Sequence, residues 1–269
     1  MLLTPSVLTL CYLFFPLLSF VILIFIGRKL GIYSHWISLI LIGLTLCISI
    51  AFISNVFDHH PSTIAQQSLT WFTTGAFTVT LGILINNTAA IMMFVVSLIS
   101  FLVHLYSIAY MKGDSRYSRY FAYLGLFTFS MNGIVIADSL LMMYLFWELV
   151  GLSSYLLIGF WFEKNSAANA CKKAFLINRV GDIGMFIGIM IFFFNIGTFQ
   201  IDALITGVKG GAFESNLGLL TVAGILVFMG AVGKSAQFPL HIWLPDAMEG
   251  PTPVSALIHA ATMVAAGVY

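Results

Sequence analysis

The sequence predicts an all-α fold, that of a polytopic membrane protein with about eight transmembrane helices, the seventh of them broken. Of the 269 residues, 60% are apolar and only 8% are charged, and the mean hydropathy is +1.03. A typical soluble domain carries about 25% charged residues, so this composition excludes an ordinary soluble enzyme. A nucleic-acid-binding protein needs a basic face, which a net charge of +1 does not supply.

Apolar runs of about 20 residues, long enough to cross the hydrocarbon core as a helix, recur along the chain. They predict spans near residues 6–26, 36–57, 82–110, 119–137, 139–162, 171–195, 216–238 and 253–269. The loop before the third span is polar. Apolar and polar residues alternate only loosely over Thr70–Leu81, so the sequence does not decide whether a short hairpin forms there. We divide the chain into residues 1–118, with three helices and the outer loop 58–80, and residues 119–269, with helices four to eight.

The seventh span is the one predicted to be broken. As one helix, residues 216–248 would measure about 50 Å, too long for a single crossing. Pro239 lacks the N–H that would bond the carbonyl of Ser235. Broken helices occur at membrane depth where they line protein or water-filled cavities, so two half-helices are expected to meet near Lys234.

Basic residues concentrate in alternate loops, which predicts the orientation. One side carries Arg28, Lys29, Lys112, Arg116, Arg119, Lys164, Lys172 and Lys173, whereas Lys209 stands alone on the other. By the positive-inside rule, the N-terminus is expected on the outer side of the membrane.

The chain shows no motif for a cofactor or a metal. The cysteines Cys11, Cys47 and Cys171 are far apart, which argues against a zinc or iron–sulfur site. Gly233-Lys234-Ser235 ends like a phosphate-binding loop, but Phe228 stands where that motif requires its first glycine.

Four ionisable residues fall inside predicted spans: Glu148, Arg179, Asp182 and Lys234. Each costs roughly 2.5–3.5 kcal/mol at a helix centre, so they are expected to pair or to serve transport. Arg179 and Asp182 are one turn apart and can pair with each other. Asp182 is either a relay member or only the partner of Arg179, and all four could simply hold helices together.

Lys234 is the most informative of these residues. Burial favours the neutral form of a lysine and a nearby carboxylate favours its charged form. Separating Glu148 from Lys234 would therefore turn a proton-holding lysine into a proton donor. His259, in the eighth span, is open to a relay role or a structural one. His35 and His104, near predicted span ends, are expected at the membrane interface.

Long motifs in these spans resemble a known family. Residues 233–264, from Gly233-Lys234-Ser235 through Pro239-Leu240-His241 to His259, resemble antiporter-like subunit 5 of proton-pumping NADH:quinone oxidoreductase, complex I. Trp147-Glu148-Leu149 and Asn178-Arg179-Val180-Gly181-Asp182 are similar to the same family. The motifs concentrate in residues 140–269, and residues 1–80 resemble the family mainly in layout.

The resemblance implies a proton channel built from two inverted five-helix repeats, of which residues 119–269 would be most of the first. It implies that Glu148 pairs with Lys234, and that Asp182, Arg179 and His259 are modulators or relay members. The chain is expected to be the N-terminal portion of the protein, truncated at residue 269. Lacking the second repeat, it should not pump alone.

The resemblance also implies a location and partners. We expect a translocase subunit without a redox site, with NADH, FMN, Fe–S clusters and quinone bound by other subunits. Its partners would be the lipid bilayer and other membrane subunits, including neighbouring antiporter-like ones, and no nucleic acid. A bacterial inner membrane is expected, with an organellar inner or thylakoid membrane as the alternative. Two other readings stay open: a subunit of a multi-subunit Na⁺/H⁺ antiporter, and a purely structural subunit.

Overall fold

Helices dominate the computed structural model, which describes residues 4–59, 63–74, 77–214, 216–260 and 262–269. The helices are α1 (Pro5–Leu30), α2 (Ser34–His59), α3 (Asn87–Tyr110), α4 (Tyr117–Ile136), α5 (Leu140–Ile158), α6 (Asn165–Ile196), α7 (Ile201–Lys209), α8 (Leu217–Lys234), α9 (Thr252–Ala260) and α10 (Met263–Val268). Two strands, β1 (Thr63–Thr74) and β2 (Phe77–Asn86), form an antiparallel hairpin.

Within the described part of the chain, five segments are long and apolar enough to cross a membrane: Pro5–Phe57, Asn87–Tyr110, Leu140–Ile158, Asn165–Ile196 and Leu217–Lys234. The first of these contains α1 and α2, which a short 3₁₀ turn at Gly31–Tyr33 separates. These lengths and compositions support the predicted class, a polytopic helical membrane protein. The count of eight spans, the inverted repeat and the division at residue 119 stay predictions.

The hairpin is the main correction to the all-α prediction. It is longer than the Thr70–Leu81 segment, for which the sequence did not decide on a hairpin. The strand β2 also includes residues 82–86, which the sequence assigned to the third span. Threonine and glycine alternate with Val79, Leu81 and Ile83 along β2, a period of two that suits a strand. The strand ends at Asn86, whose side chain accepts a hydrogen bond from the backbone N–H of Ala89 at 2.8 Å and so caps α3.

The helix α4 lies at the centre of the bundle, where it packs against α1, α2, α3 and α5. Nearly all of its residues from Tyr120 to Ile136 are buried, as expected for a helix that is surrounded on all sides. Beside this group, α6 packs closely on α8. A side chain at Gly181, Gly184 or Gly188 would collide with Met229, Val227 or Gly233 of α8. Glycines therefore let the two backbones approach.

Where the sequence predicts a broken seventh span, the structure has a helix followed by turns, and no second α-half-helix is formed at residues 235–245. The helix α8 ends at Lys234, and residues 235–245 form turns before a 3₁₀ turn at Asp246–Glu249. Pro245 removes another backbone donor in addition to Pro239. The prediction of two half-helices overlooked this second proline.

This irregular segment runs along the axis of α6. Its start, Lys234, lies near Asp182 of α6, and its end bonds Lys173 of the same helix, whose Nζ lies 2.6 Å from Asp246 Oδ2. Nine residues of helix correspond to about 14 Å. The segment therefore runs from the depth of Lys234 back towards the basic end of α6. The predicted eighth span is divided as well, into α9 and α10.

Candidate functional site

Lys234 and Asp182 form a buried pair between α8 and α6. The Nζ of Lys234 lies 3.7 Å from Oδ2 of Asp182, and both side chains are 1% exposed. Lys234 is the last residue of α8, so the ammonium sits where the helix breaks. At 3.7 Å the two groups attract each other without a hydrogen bond, and Nζ has no hydrogen-bond partner among the described residues. A proton held there is stabilised by charge rather than by tight contact.

Trp147 and Gly151 of α5 form the wall that faces this pair. The indole N–H of Trp147 donates to Oδ1 of Asp182 at 2.7 Å, and the ring centroid lies 6.0 Å from Lys234 Nζ. A Cβ at Gly151 would come within 2.7 Å of the same Nζ. The tryptophan therefore fixes one carboxylate oxygen, and the glycine leaves the room that the ammonium occupies.

Glu148 and Arg179 form a second ion pair, nearer the surface of the bundle. The guanidinium of Arg179 contacts Oε2 of Glu148, and the side chains are 32% and 21% exposed respectively. The hydroxyl of Tyr144 donates to Oε1 of Glu148 at 2.7 Å. The Arg179 guanidinium also lies over the ring of Phe175, 4.6 Å from its centroid. Both oxygens of Glu148 are thus satisfied without Lys234.

The partners therefore differ from those that the sequence and the family resemblance predict. Among the described residues, the carboxylate within 4 Å of Lys234 belongs to Asp182, and that of Glu148 is paired with Arg179. The proposed pairing of Arg179 with Asp182 is also not formed. The physical reason is the position of α6 between α5 and α8. Arg179 reaches Glu148 of α5, whereas Asp182, one turn further along α6, lies within 4 Å of Lys234 of α8.

Where α8 ends, the N–H of Gln237 bonds the carbonyl of Val232, so the carbonyl of Gly233 accepts from the N–H of Ala236 at 3.2 Å instead of from its regular helical donor. The indole N–H of Trp243, a fully buried residue of the irregular segment, bonds that carbonyl at 3.0 Å. The ring of His259 on α9 lies 6.4 Å from the Trp243 ring, and its buried Nε2 has no hydrogen-bond partner in the described structure. His259 therefore lies behind the broken end of α8, separated from it by one indole ring.

Sequence reasoning missed several residues that build the site. Trp147 and Trp243 were quoted only as parts of motifs, although each donates its indole N–H to a group beside Lys234. Tyr144 precedes Glu148 by four residues, the spacing of side-chain neighbours on a helix, and that spacing could have identified it. His104, expected at the interface, is instead fully buried between α3 and α4.

The fold and the site together define a polytopic helical membrane protein that keeps paired charges between its helices. Residues 137–269 match the family described as NADH:quinone oxidoreductase/Mrp antiporter, transmembrane, and residues 71–121 match the one described as NADH-ubiquinone oxidoreductase (complex I), chain 5 N-terminus. The chain belongs to this family of antiporter-like subunits, which confirms the resemblance read from its motifs.

Curated relatives from plastids and from a cyanobacterium are named as the fifth subunit or chain of NAD(P)H-quinone oxidoreductase. The chain is 45% identical over 241 residues to the chloroplastic NAD(P)H-quinone oxidoreductase subunit 5 of Chlorokybus atmophyticus, covering 86% of this chain and 36% of that protein. It is 47% identical over 230 residues to NAD(P)H-quinone oxidoreductase chain 5 of Synechocystis sp., covering 85% and 34%. The chain thus spans about a third of the length of these relatives.

Solved structures share the fold over nearly the whole chain. The Mrp complex of Dietzia sp. has a chain that superposes with a TM-score of 0.81 at 25% identity, covering 99% of this chain and 27% of that one. An archaeal membrane-bound sulfane sulfur reductase gives 0.82 at 20% identity, covering 97% and 51%. The second likeness shows the fold alone.

Proposed function

We propose that the chain is part of a proton-translocating membrane subunit of an NAD(P)H:quinone oxidoreductase of the complex I type. The observation that carries this proposal is the buried Lys234–Asp182 pair at the broken end of α8. Charges kept at membrane depth are costly and commonly mark ion pathways. The names of the relatives from Chlorokybus and Synechocystis support the choice of complex.

Lys234 is the proton carrier in this proposal. An ammonium close to a carboxylate is stabilised in its charged form, and the same group loses that stabilisation when the carboxylate moves away. The 3.7 Å separation from Asp182 leaves room for the pair to tighten when Lys234 holds its proton. Moving Asp182 away would release the proton from Nζ.

Arg179 is the group that can draw Asp182 away. It lies one turn from Asp182 on α6 and is held by Glu148, and arginine stays charged in proteins. Breaking the Glu148–Arg179 contact would free the guanidinium to attract Asp182. Glu148 thus acts on Lys234 through two intermediate residues, Arg179 and Asp182, rather than by pairing with it directly. The alternative, in which Asp182 only anchors helices, predicts no effect of Glu148 on proton transfer.

His259 is proposed as the next proton acceptor. Its unpartnered Nε2 and its place behind Trp243 support this role, because a neutral imidazole can accept a proton at that atom. The proton would pass along the turns at residues 235–245, which include Pro239 and follow Lys234 where the helix ends.

The chemistry of electron transfer is assigned to other subunits, which would bind NADH, FMN, Fe–S clusters and quinone. The other membrane subunits of the complex, including neighbouring antiporter-like ones, are the proposed partners. Plastid and cyanobacterial relatives support a bacterial inner membrane or a thylakoid membrane. The N-terminus is proposed on the outer side, from the basic loops.

A second candidate function is a subunit of a multi-subunit Na⁺/H⁺ antiporter. The match to a family that includes the Mrp antiporters and the likeness to the Dietzia Mrp complex favour it. Sodium-dependent proton movement in vesicles that contain no quinone reductase would support this candidate.

The test is proton uptake by vesicles that contain the full-length protein in its complex, measured per quinone reduced. We expect Lys234→Ala and Glu148→Gln to lower this ratio. Glu163→Gln is the matched control, since Glu163 pairs with Arg116 outside the spans. Wild-type ratios in both site variants would refute the proposal.

A further inference from the structure

A second row of polar side chains is buried between α3 and α4, away from Lys234. We call it the α3–α4 seam; it consists of Ser97, Ser100, His104 and Ser107 on α3 and Tyr120, Thr128 and Asn132 on α4. The α3 residues follow the spacing of one helix face. Each of the seven is at most 1% exposed.

Hydrogen bonds join the two helices along the seam. Ser107 Oγ lies 3.0 Å from Tyr120 Oη, and Ser100 Oγ lies 2.6 Å from Thr128 Oγ1. Further along, Asn132 accepts from the hydroxyl of Tyr12 of α1 at 2.9 Å. From Tyr117, the first residue of α4, to Asn132 the helix rises about 22 Å, most of the ~30 Å core.

One end of the seam approaches the surface at a second histidine. His35, at the start of α2 and 9% exposed, has Nδ1 3.1 Å from Tyr117 Oη. Its ring lies 6.3 Å from that of Phe121, which also packs 6.0 Å from the ring of His104. This end belongs to the side of the basic residues Arg28 and Lys29, which close α1.

Helix–helix hydrogen bonding explains the hydroxyl groups of the seam, but it does not explain His104. The Nδ1 of His104 lies 2.7 Å from the carbonyl oxygen of Ser100, which can only accept, so Nδ1 carries the proton. In the neutral ring Nε2 is then an acceptor, and this buried atom has no partner in the described part of the chain. An aromatic ring without nitrogen would fill the same space without that penalty.

We propose that the α3–α4 seam is a proton-conducting path, with His104 as the residue that takes up the proton. The inference rests on the proposed function, because it assumes a subunit that moves protons, but it involves none of the residues around Lys234. The transported species is a proton delivered by water, and no oxidant or reductant takes part.

The transfer can be written atom by atom. A hydronium ion gives a proton to Nε2 and leaves as water, and the ring becomes an imidazolium. The Nδ1 proton then passes to Ser100 Oγ, 3.5 Å away, as the serine side chain rotates towards the ring. Ser100 hands its own hydroxyl proton to Thr128 Oγ1 across the 2.6 Å contact. Thr128 in turn releases its hydroxyl proton to a water molecule beyond it, which becomes hydronium, so both hydroxyl groups are restored. His104 is left neutral with its proton on Nε2, and tautomer exchange restores the starting state.

The test compares variants of the full-length protein in its complex by protons taken up per quinone reduced. His104→Phe keeps the ring and removes the exchangeable proton, and Thr128→Val keeps the shape and removes the hydroxyl. Ser49→Ala is the matched control, since Ser49 is a buried serine of α2 whose hydroxyl bonds only its own helix. Because the ratio is normalised to quinone reduction, a smaller amount of assembled protein does not change it.

We expect the ratio to fall in His104→Phe and Thr128→Val and to stay at the wild-type value in Ser49→Ala. A positioned proton-transfer group contributes on the order of 10²–10⁴-fold to its step, so the share carried by the seam should be lost. Wild-type ratios in both seam variants, with a reduced ratio in Lys234→Ala, would overturn the seam and leave the proposed function standing. A wild-type ratio in Lys234→Ala would instead remove the proposed function itself.

Discussion

The ammonium of Lys234 lies 3.7 Å from a carboxylate oxygen of Asp182, and both side chains are 1% exposed. Glu148, the acidic residue expected to hold Lys234, is bonded to Arg179 and Tyr144 instead. The four charged residues therefore form two linked pairs. One turn of α6, from Arg179 to Asp182, joins the partly exposed Glu148–Arg179 pair to the buried Asp182–Lys234 pair. This order determines which substitutions should affect stability and which should affect transport alone.

Replacing Asp182 should be more damaging to stability than replacing Glu148. Removing one partner of a buried ion pair costs on the order of 3–5 kcal/mol, because the other charge stays buried without compensation. We expect Asp182→Asn to lower the unfolding temperature of the full-length protein in detergent well below that of Glu148→Gln. Adding Lys234→Met to Asp182→Asn should recover part of the loss. Equal losses in the two single variants would contradict the assignment of Asp182 as the partner.

A methyl group at Gly151 should displace the Lys234 ammonium. The added Cβ would stand 2.7 Å from Nζ, closer than the two atoms can pack, so Gly151→Ala should lower proton transport while the helices still assemble. The matched control is Gly224→Ala on α8, where an added Cβ meets nothing within 4 Å. Proton uptake per quinone reduced checks the prediction, and equal ratios in the two variants would count against it.

Removing the indole N–H of Trp147 should loosen Asp182. A hydrogen bond to a charged group contributes about 1.5–3 kcal/mol, and Trp147→Phe removes the one that reaches Asp182 at 2.7 Å. We expect a lower unfolding temperature together with reduced transport. Trp161→Phe is the comparison, because that indole donates to Asp114 outside the spans at 3.1 Å. It should leave transport unchanged, and a similar loss of transport in both variants would exclude a specific role for Trp147.

The sequence was most informative where residue chemistry is rare. Charges inside apolar runs identified Glu148, Arg179, Asp182 and Lys234, and Pro239 located the end of α8. Which charges pair could not be predicted, because pairing depends on α6 lying between α5 and α8. That position follows from the close packing of α8 on Gly181, Gly184 and Gly188. The spacing of these glycines in the sequence indicates close helix packing, but it does not say which helix packs there.

The hairpin was underestimated for a related reason. Residues 82–86 are apolar enough to be predicted as the start of the third span, and only the cap formed by Asn86 separates strand from helix. The buried seam at His104 was missed because a lone histidine near a span end has the same sequence pattern at the interface as in the core.

Asp138 should make stability depend on pH. It lies in the turn between α4 and α5, outside the spans, 7% exposed, and its N–H bonds the carbonyl of Gly82 in the hairpin. Burial raises the pKa of the Asp138 carboxyl, with the nearby charge of Asp202 adding to the rise and hydrogen bonds opposing it. The folded protein therefore binds more protons than the unfolded chain between the ordinary and the raised pKa.

The raised pKa of Asp138 predicts a loss of stability as the pH rises. The contribution of Asp138 is fully present below its ordinary pKa of about 4 and disappears as the pH passes the raised value. We expect the unfolding temperature of the wild-type protein to fall over this range relative to Asp138→Asn, and to fall less in Asp202→Asn. Parallel curves for wild type and Asp138→Asn would show that this carboxyl is not responsible.

The most direct test of the central claim, that Lys234 carries the proton, is the transport activity of Lys234→Arg. Arginine keeps the positive charge and the attraction to Asp182, but it cannot give up its proton in a protein. The measurement is proton uptake per quinone reduced in vesicles containing the assembled complex. Our account predicts an assembled protein with a ratio as low as that of Lys234→Ala, whereas a wild-type ratio would show that Lys234 only holds α8 to α6.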